Sequence, residues 1–304
     1  MIIWYSGCGN SRFVADSLAE KLGEKKMLFI PDAARQGTAP EFGQDEILGI
    51  VFPVYSWSVP RLVSKFLRTF KFKGKPSYIY AACTCGDQTG YTLKHLKKDL
   101  SKNGLELDAF FSFRMPETYI NLPGFELDTP KNATLKIEQT RIQIDETVRL
   151  IKSRTRGNFD KLEGSSAFLK SEILKPLFYG LLITDRKFKV SDDCNGCGLC
   201  SRSCPLLNIT MENGRPRWNG NCTNCMSCYH RCPTNAVNFG KATLGKGQYF
   251  FGKPLSPAHN IEETKKQRTE RNGTERKRTE QERTKRNQAE RNETARKGTQ
   301  RKGT

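Results

Sequence analysis

Histidine is scarce. Only three occur among 304 residues, and neither His95 nor His259 has a triad or metal partner visible in the sequence, so hydrolysis and acyl transfer find no support. No apolar run approaches the ~20 residues that cross a bilayer, which excludes a membrane span. The zones of a secretory signal are also missing, because Met1 leads straight into a strand-like run. The expectation is a cytoplasmic, reducing setting. There, cysteines in tight spacings hold metal rather than form disulfides.

Charge of one sign is the exception to this sparseness. The chain carries 51 Lys and Arg against 32 Asp and Glu, a net +19. Residues 261–304 hold 15 of the basic and 8 of the acidic groups, so that segment accounts for +7 and the other 260 residues for +12. From Arg268 the segment divides into fives (RTERN, GTERK, RTEQE, RTKRN, QAERN, ETARK, GTQRK), with no aromatic and almost no aliphatic residue. Such a chain cannot bury enough surface to offset its ordering entropy, and it is expected to be disordered. Its commonest elements, G-T-E-R-N, are what the DNA unit GGAAC yields when read repeatedly in frame, so the tail is read as the trace of a tandem DNA repeat. A nucleic-acid arm is the functional alternative; no specific nucleic acid is expected as a partner.

Before the tail, three regimes follow one another. Residues 1–157 alternate apolar β-rich runs with helix-period stretches. Strands are expected at Met1–Tyr5, Met27–Ile30, Ile47–Phe52, Tyr78–Cys83 and Leu107–Phe113. Helices are expected at Asn10–Leu22, Pro60 to about Thr69, Tyr91–Lys102 and about Lys131–Arg154. This order predicts an α/β fold with a doubly wound parallel five-stranded sheet, its apolar strands covered on both faces. Residues 158–190 form a connector. Its segment Phe168–Ile183 is apolar but interrupted by Lys170, Glu172, Lys175 and Pro176, which favours a helix or turn packing the two parts together over a membrane anchor.

Residues 191–245 form a small second domain whose cysteine block duplicates itself. Cys194–Pro205 reads CNGCGLCSRSCP, and Cys222–Pro233 reads CTNCMSCYHRCP. Three thiolates two residues apart wrap one corner of a cubane cluster, and the fourth, beyond a turn, reaches the other cluster. The expected ligation is crossed: Cys194, Cys197 and Cys200 with Cys232, and Cys222, Cys225 and Cys228 with Cys204. A pair of zinc sites is the alternative, but zinc cysteines usually come as two separated pairs. His230, inside the second motif, is expected to be a solvated side chain, since four thiolates already complete each cluster. On these motifs the segment resembles a bacterial-type ferredoxin with two [4Fe-4S] clusters, which implies one-electron transfer and a small α+β fold.

The first strand is followed by Ser6-Gly7-Cys8-Gly9-Asn10-Ser11 and then at once by a helix. Small and hydroxyl residues there let backbone N–H groups converge on a phosphate at the helix N-terminus. A Walker loop lacks its Gly-Lys-Ser/Thr end here, and a dinucleotide loop its third glycine. The loop resembles the S-x-T-G-x-T phosphate loop of flavodoxins, which implies FMN. Cys8 stands where that family has a hydroxyl residue, and Ser11 replaces threonine. Two further loops, residues 53–60 and 84–91, fall at the carboxyl ends of the next strands, where ligands bind in such sheets. Tyr55, Trp57 or Tyr91 would stack on the isoalloxazine, Ser56 lies between the first two, and the backbone of Thr84, Cys85 and Gly86 would meet the pyrimidine edge. Cys83 and Cys85 otherwise look like small buried residues.

Residues 1–240 together resemble bacterial fusions of a flavodoxin-like domain with a two-cluster ferredoxin. The resemblance implies an electron-transfer iron–sulfur flavoprotein passing electrons between two [4Fe-4S] clusters and FMN. Its partner would be a redox protein or a small electron acceptor. The alternative is a non-catalytic carrier or redox-sensing ferredoxin module beside an empty flavodoxin-like scaffold.

Overall fold

The computed structural model describes residues 1–252 other than 44, 123, 161 and 182, together with all but two of their side chains (178 and 181). The repeat segment 261–304 and His259 lie outside the described residues.

The N-terminal part is a parallel sheet built from β1 (Ile2–Trp4), β2 (Met27–Phe29), β3 (Ile47–Pro53), β4 (Tyr78–Cys85), β5 (Ala109–Arg114) and β6 (Asn158–Phe159). The strand order is β2-β1-β3-β4-β5-β6, and every pairing is parallel. Five strands were expected and six are present. The sixth pairs only Asn158 and Phe159 with Ala109 and Phe110, and two residues are too few to show a period. The central strands β3 and β4 are buried on both faces, which is why their sequences are continuously apolar.

Helices α1 (Asn10–Leu22) and α5 (Pro130–Lys152) cover one face, where Val14, Leu18, Ile144 and Ile151 pack on Ile2, Tyr80 and Phe111. On the other face α2 (Ile30–Gln36), α3 (Arg61–Thr69) and α4 (Thr92–Ser101) bring Val63, Phe66 and Leu96 against Ile3, Ile50 and Phe52. The short α2 was not expected. Phe29 runs directly into it, so no polar break separates strand from helix.

The connector enters a π-helical turn (Leu169–Leu174) that continues into α6 (Lys175–Leu181). Among the described residues no helix is long and apolar enough to cross a membrane.

The C-terminal part has two superposable halves in sequence. In the first come β7 (Phe188–Val190), α7 (Leu199–Arg202) and β8 (Ile209–Glu212); in the second, β9 (Arg215–Trp218), α8 (Ser227–His230) and β10 (Val237–Phe239). Strands β7 and β10 pair antiparallel, as do β8 and β9. The latter hairpin turns at Asn213-Gly214, both with positive φ, the residue pair that such a two-residue turn favours. The duplication extends to the backbone. Left-handed residues recur at matching places: Gly196 and Asn224, Gly198 and Met226, Leu207 and Asn235.

Candidate iron–sulfur and cofactor site

In each half the third cysteine sits on a one-turn helix, Cys200 on α7 and Cys228 on α8, entered through a residue in the left-handed region. Gly198 adopts that conformation without a Cβ penalty; Met226 does so with its side chain buried in the core. Cys200, Cys228 and Cys232 belong to a core that also holds Phe188, Ile209, Tyr229, Val237 and Phe239.

The electrostatic neighbours of the thiols fall into two sets. Burial pushes the Cys200 thiol up, and Cys232 and Cys194 add to the shift. Burial likewise raises Cys222, to about 12, with Cys225 and Cys204 adding to it. Cys228 is raised by burial and then by Cys225, Cys222 and Cys204. Cys204, Cys222, Cys225 and Cys228 line one small cavity of about 20 Å³, together with Trp218 and Phe188, whose rings stack 5.2 Å apart. Backbone N–H groups point at sulfur, from Asn208 to Cys204 Sγ and from Asn224 to Cys222 Sγ, each at 3.3 Å. Among the described residues no three His, Cys, Asp or Glu side chains close in on the position of a single metal ion.

A second, larger cavity of about 430 Å³ opens at the carboxyl ends of β1, β3, β4 and β5. This is where strand order reverses between β1 and β3, the usual ligand position in an open parallel sheet. Of the loop residues expected there, Ser6, Cys8, Asn10 and Ser11 line it after β1. Tyr55, Ser56 and Trp57 do so after β3, and Thr84, Cys85 and Gly86 after β4. Gly9 and Tyr91 do not. Gly9, at φ 97, caps α1 and backs onto Phe251. Tyr91 precedes α4, its N–H bonded to Ser171 Oγ at 2.9 Å and its ring beneath Lys94.

Most side chains of the first loop are already engaged by protein. Ser11 Oγ bonds Thr84 Oγ1 at 2.8 Å. Asn10 donates to Pro116 O at 2.9 Å and accepts from Tyr249 Oη at 2.8 Å. Cys8, held protonated by burial, donates its S–H to Cys225 O at 3.1 Å. The first intrahelical bond runs from Phe13 N–H to Gly9 O, so the N–H groups of Asn10, Ser11 and Arg12 are the ones a helix start leaves open. An anion here would be met by backbone, the Ser6 hydroxyl and the positive end of α1.

Three contributors were not foreseen. The loop after β5 supplies Met115–Tyr119, including Glu117, whose carboxyl burial raises while the N–H groups of Thr118 and Tyr119 lower it, at 2.9 and 2.8 Å. The connector supplies Lys170. The cysteine segment supplies Thr223, Asn224 and Cys225. The rule that found the first three loops would have found the fourth. Nothing local in sequence places Cys225 beside Gly7.

That last contact is tight. A Cβ on Gly7 would lie 2.6 Å from Cys225 Cβ and 2.9 Å from Tyr55 Oη. Only glycine lets the loop approach so closely. Below it, Tyr5 is fully buried with its hydroxyl 3.5 Å from Tyr55 Oη.

His230 is not the solvated side chain expected of it. It is 2% exposed, accepts from Tyr249 N–H through Nδ1 at 3.2 Å, and faces Thr118 O through Nε2 at 2.9 Å. Both bonds are satisfied by one neutral tautomer, and burial lowers the ring's pKa to about 4. His95 also has partners that sequence did not show: Ser58 Oγ at 2.8 Å and Glu172 at 3.5 Å. Cys83 and Cys85 are buried, as expected.

Residues 193–237 match the family model of the 4Fe-4S dicluster domain. No curated protein matches the chain. The match makes this segment an iron–sulfur, ferredoxin-type domain with a role in electron transfer, and it follows a six-stranded parallel α/β sheet.

Proposed function

We propose that this protein is an electron-transfer iron–sulfur flavoprotein with two [4Fe-4S] clusters and FMN. The observation that carries the reading is the position of Cys225, which lines both the large cavity and the small cavity of its cysteine set. Cys204, Cys222, Cys225 and Cys228 would hold one cluster, and Cys194, Cys197, Cys200 and Cys232 the other. The crossed sets are supported by the thiol neighbours, and a cubane over zinc by four cysteines in each run where zinc cysteines come as two separated pairs.

The large cavity fits FMN in three respects. Its volume lies in the range of small-molecule sites, roughly 300–1,000 Å³. One end offers open N–H groups at the start of α1. Its lining also includes Trp57 and Tyr119, flat surfaces against which a ring system packs.

When bound, the clusters exchange single electrons and FMN takes one or two, so the set would join one-electron carriers to a two-electron partner. The chain's own residues bring the sites together and keep water from between them. Gly7 allows the contact, Tyr5 and Tyr55 fill the space beneath it, and N–H groups aimed at Cys204 and Cys222 stabilise negative sulfur. Cys197 is exposed while Cys225 is half-buried, so the first set is the one a protein partner can approach.

Anaerobic purification with iron, sulfide and flavin determination tests this. About eight irons and one FMN per chain are expected. Iron without flavin would leave only the ferredoxin-type module; zinc in place of iron would end the proposal.

A further inference from the structure

The segment 168–177 is amphipathic the wrong way round. Its polar side chains face the protein. Lys170 Nζ bonds Gln88 at 2.8 Å, Ser171 Oγ donates to Trp57 O at 3.1 Å, Glu172 pairs with Lys94 at 2.8 Å, and Lys175 Nζ bonds Ser58 Oγ at 2.8 Å. Its large apolar side chains face solvent: Phe168 is 58% exposed, Leu169 45%, Ile173 53% and Leu177 57%. Lys170 and Lys175, which break the apolar run in sequence, are therefore anchors to the loops after β3 and β4, and Glu172 is neutralised by Lys94 in an exposed pair.

Two features say what covers this face. The first is charge. Helices α3 and α4 flank the segment, Arg61 stacking 4.0 Å over Tyr179 and Lys94 reaching Glu172. Between them they carry six Lys and Arg, and their one acidic residue, Asp99, is buried. The second is the lack of hydrogen-bonding groups. With Lys170, Ser171 and Lys175 engaged inward and Glu172 paired with Lys94, the most exposed large side chains of the segment, Phe168, Leu169, Ile173 and Leu177, are all hydrocarbon. A specific protein interface carries about one hydrogen bond per 100–200 Å², whereas lipid acyl chains demand none.

We propose that this face is a peripheral membrane-docking surface, laid in the plane of an anionic bilayer. Phe168, Leu169, Ile173 and Leu177 enter the acyl boundary, and the α3 and α4 cations meet the headgroups. Docking of this kind involves no spanning helix.

The test uses the full-length protein and sedimentation with phosphatidylcholine vesicles, with and without phosphatidylglycerol at about 30%. Wild-type protein is expected to sediment with the anionic vesicles and to stay in solution with the neutral ones. The triple variant F168S/I173S/L177S is expected to lose at least ~tenfold in partitioning while its circular dichroism and melting are unchanged. A K65E/K98E variant is expected to fall between the two. The basic tail is present in every variant, so equal partitioning of wild type and triple variant would assign binding to charge alone and overturn the proposal. Absence of vesicle binding would overturn it too, in favour of an acidic protein partner. So would a dimer that the triple variant dissolves, which would make a second copy the occupant.

Discussion

Cys197 stands in solvent, whereas its counterpart in the second repeat, Cys225, lies against Gly7 and the wall of the large cavity. The same repeat, with the same left-handed residues at the same places, thus leaves the second cysteine of one half in solvent and turns that of the other half inward. The difference does not come from the repeats themselves. It comes from what packs on them: the loop after β1, the loop after β5, which sends Ile120 into the cysteine core, and the strand-end residues Tyr5 and Tyr55. Duplication supplies two equivalent runs of cysteines, and contact with the loops at the strand ends makes them unequal.

The strongest way to break that comparison is to remove one thiol from each set. Cys225→Ala should cost about four of eight irons and lower flavin content as well, because its side chain and backbone form part of the cavity. Cys197→Ala should cost the same iron and leave flavin unchanged. Equal flavin in the two variants, measured after anaerobic gel filtration, would show the sets to be equivalent.

Gly7→Val presses on the same contact from the other side. With a Cβ forced to within 2.6 Å of Cys225 Cβ, the loop must withdraw, and flavin binding should fall at least ~100-fold, the effect of displacing a backbone that contacts the ligand. Iron at the first set should be retained. His230→Leu is a smaller blow. It strands Tyr249 N–H and Thr118 O in the interior and should cost about 3 kcal/mol, read as a lower Tm, since each buried unsatisfied group costs about 1–3 kcal/mol. Ending the chain just before Ile261 should change neither cofactor content nor Tm; a loss of either would give the repeat segment a role.

Much of this was legible in advance where the signal is periodic or spaced. The central strands β3 and β4 appear in sequence as apolar runs, and α1 lies where its apolar spacing and the glycine-bounded loop place it. The strand-end loops could be located because parallel topology fixes where a sheet binds its ligands. What was not legible is non-local. Cys8 stands where the phosphate loop of flavodoxins has a hydroxyl residue, yet its hydrogen bond goes to Cys225 O, 217 positions away. His230 looked spare beside a full set of thiolates, yet it ties α8 to the loop after β5. The charges in 168–177 looked like interruptions of an apolar segment, and their meaning depends on which way they face.

Tyr249 meets Asn10 across 239 positions, and Phe251 stacks 4.2 Å from Phe13 while its N–H donates to Cys8 O. The earliest and the latest described stretches therefore close on each other at a single loop. During synthesis that loop must wait until Phe251 has left the ribosome, and a contact of such long range is slow to form. A nascent chain stopped short of Tyr249 would carry all eight cysteines of the duplicated segment and still lack the clasp that completes the start of α1.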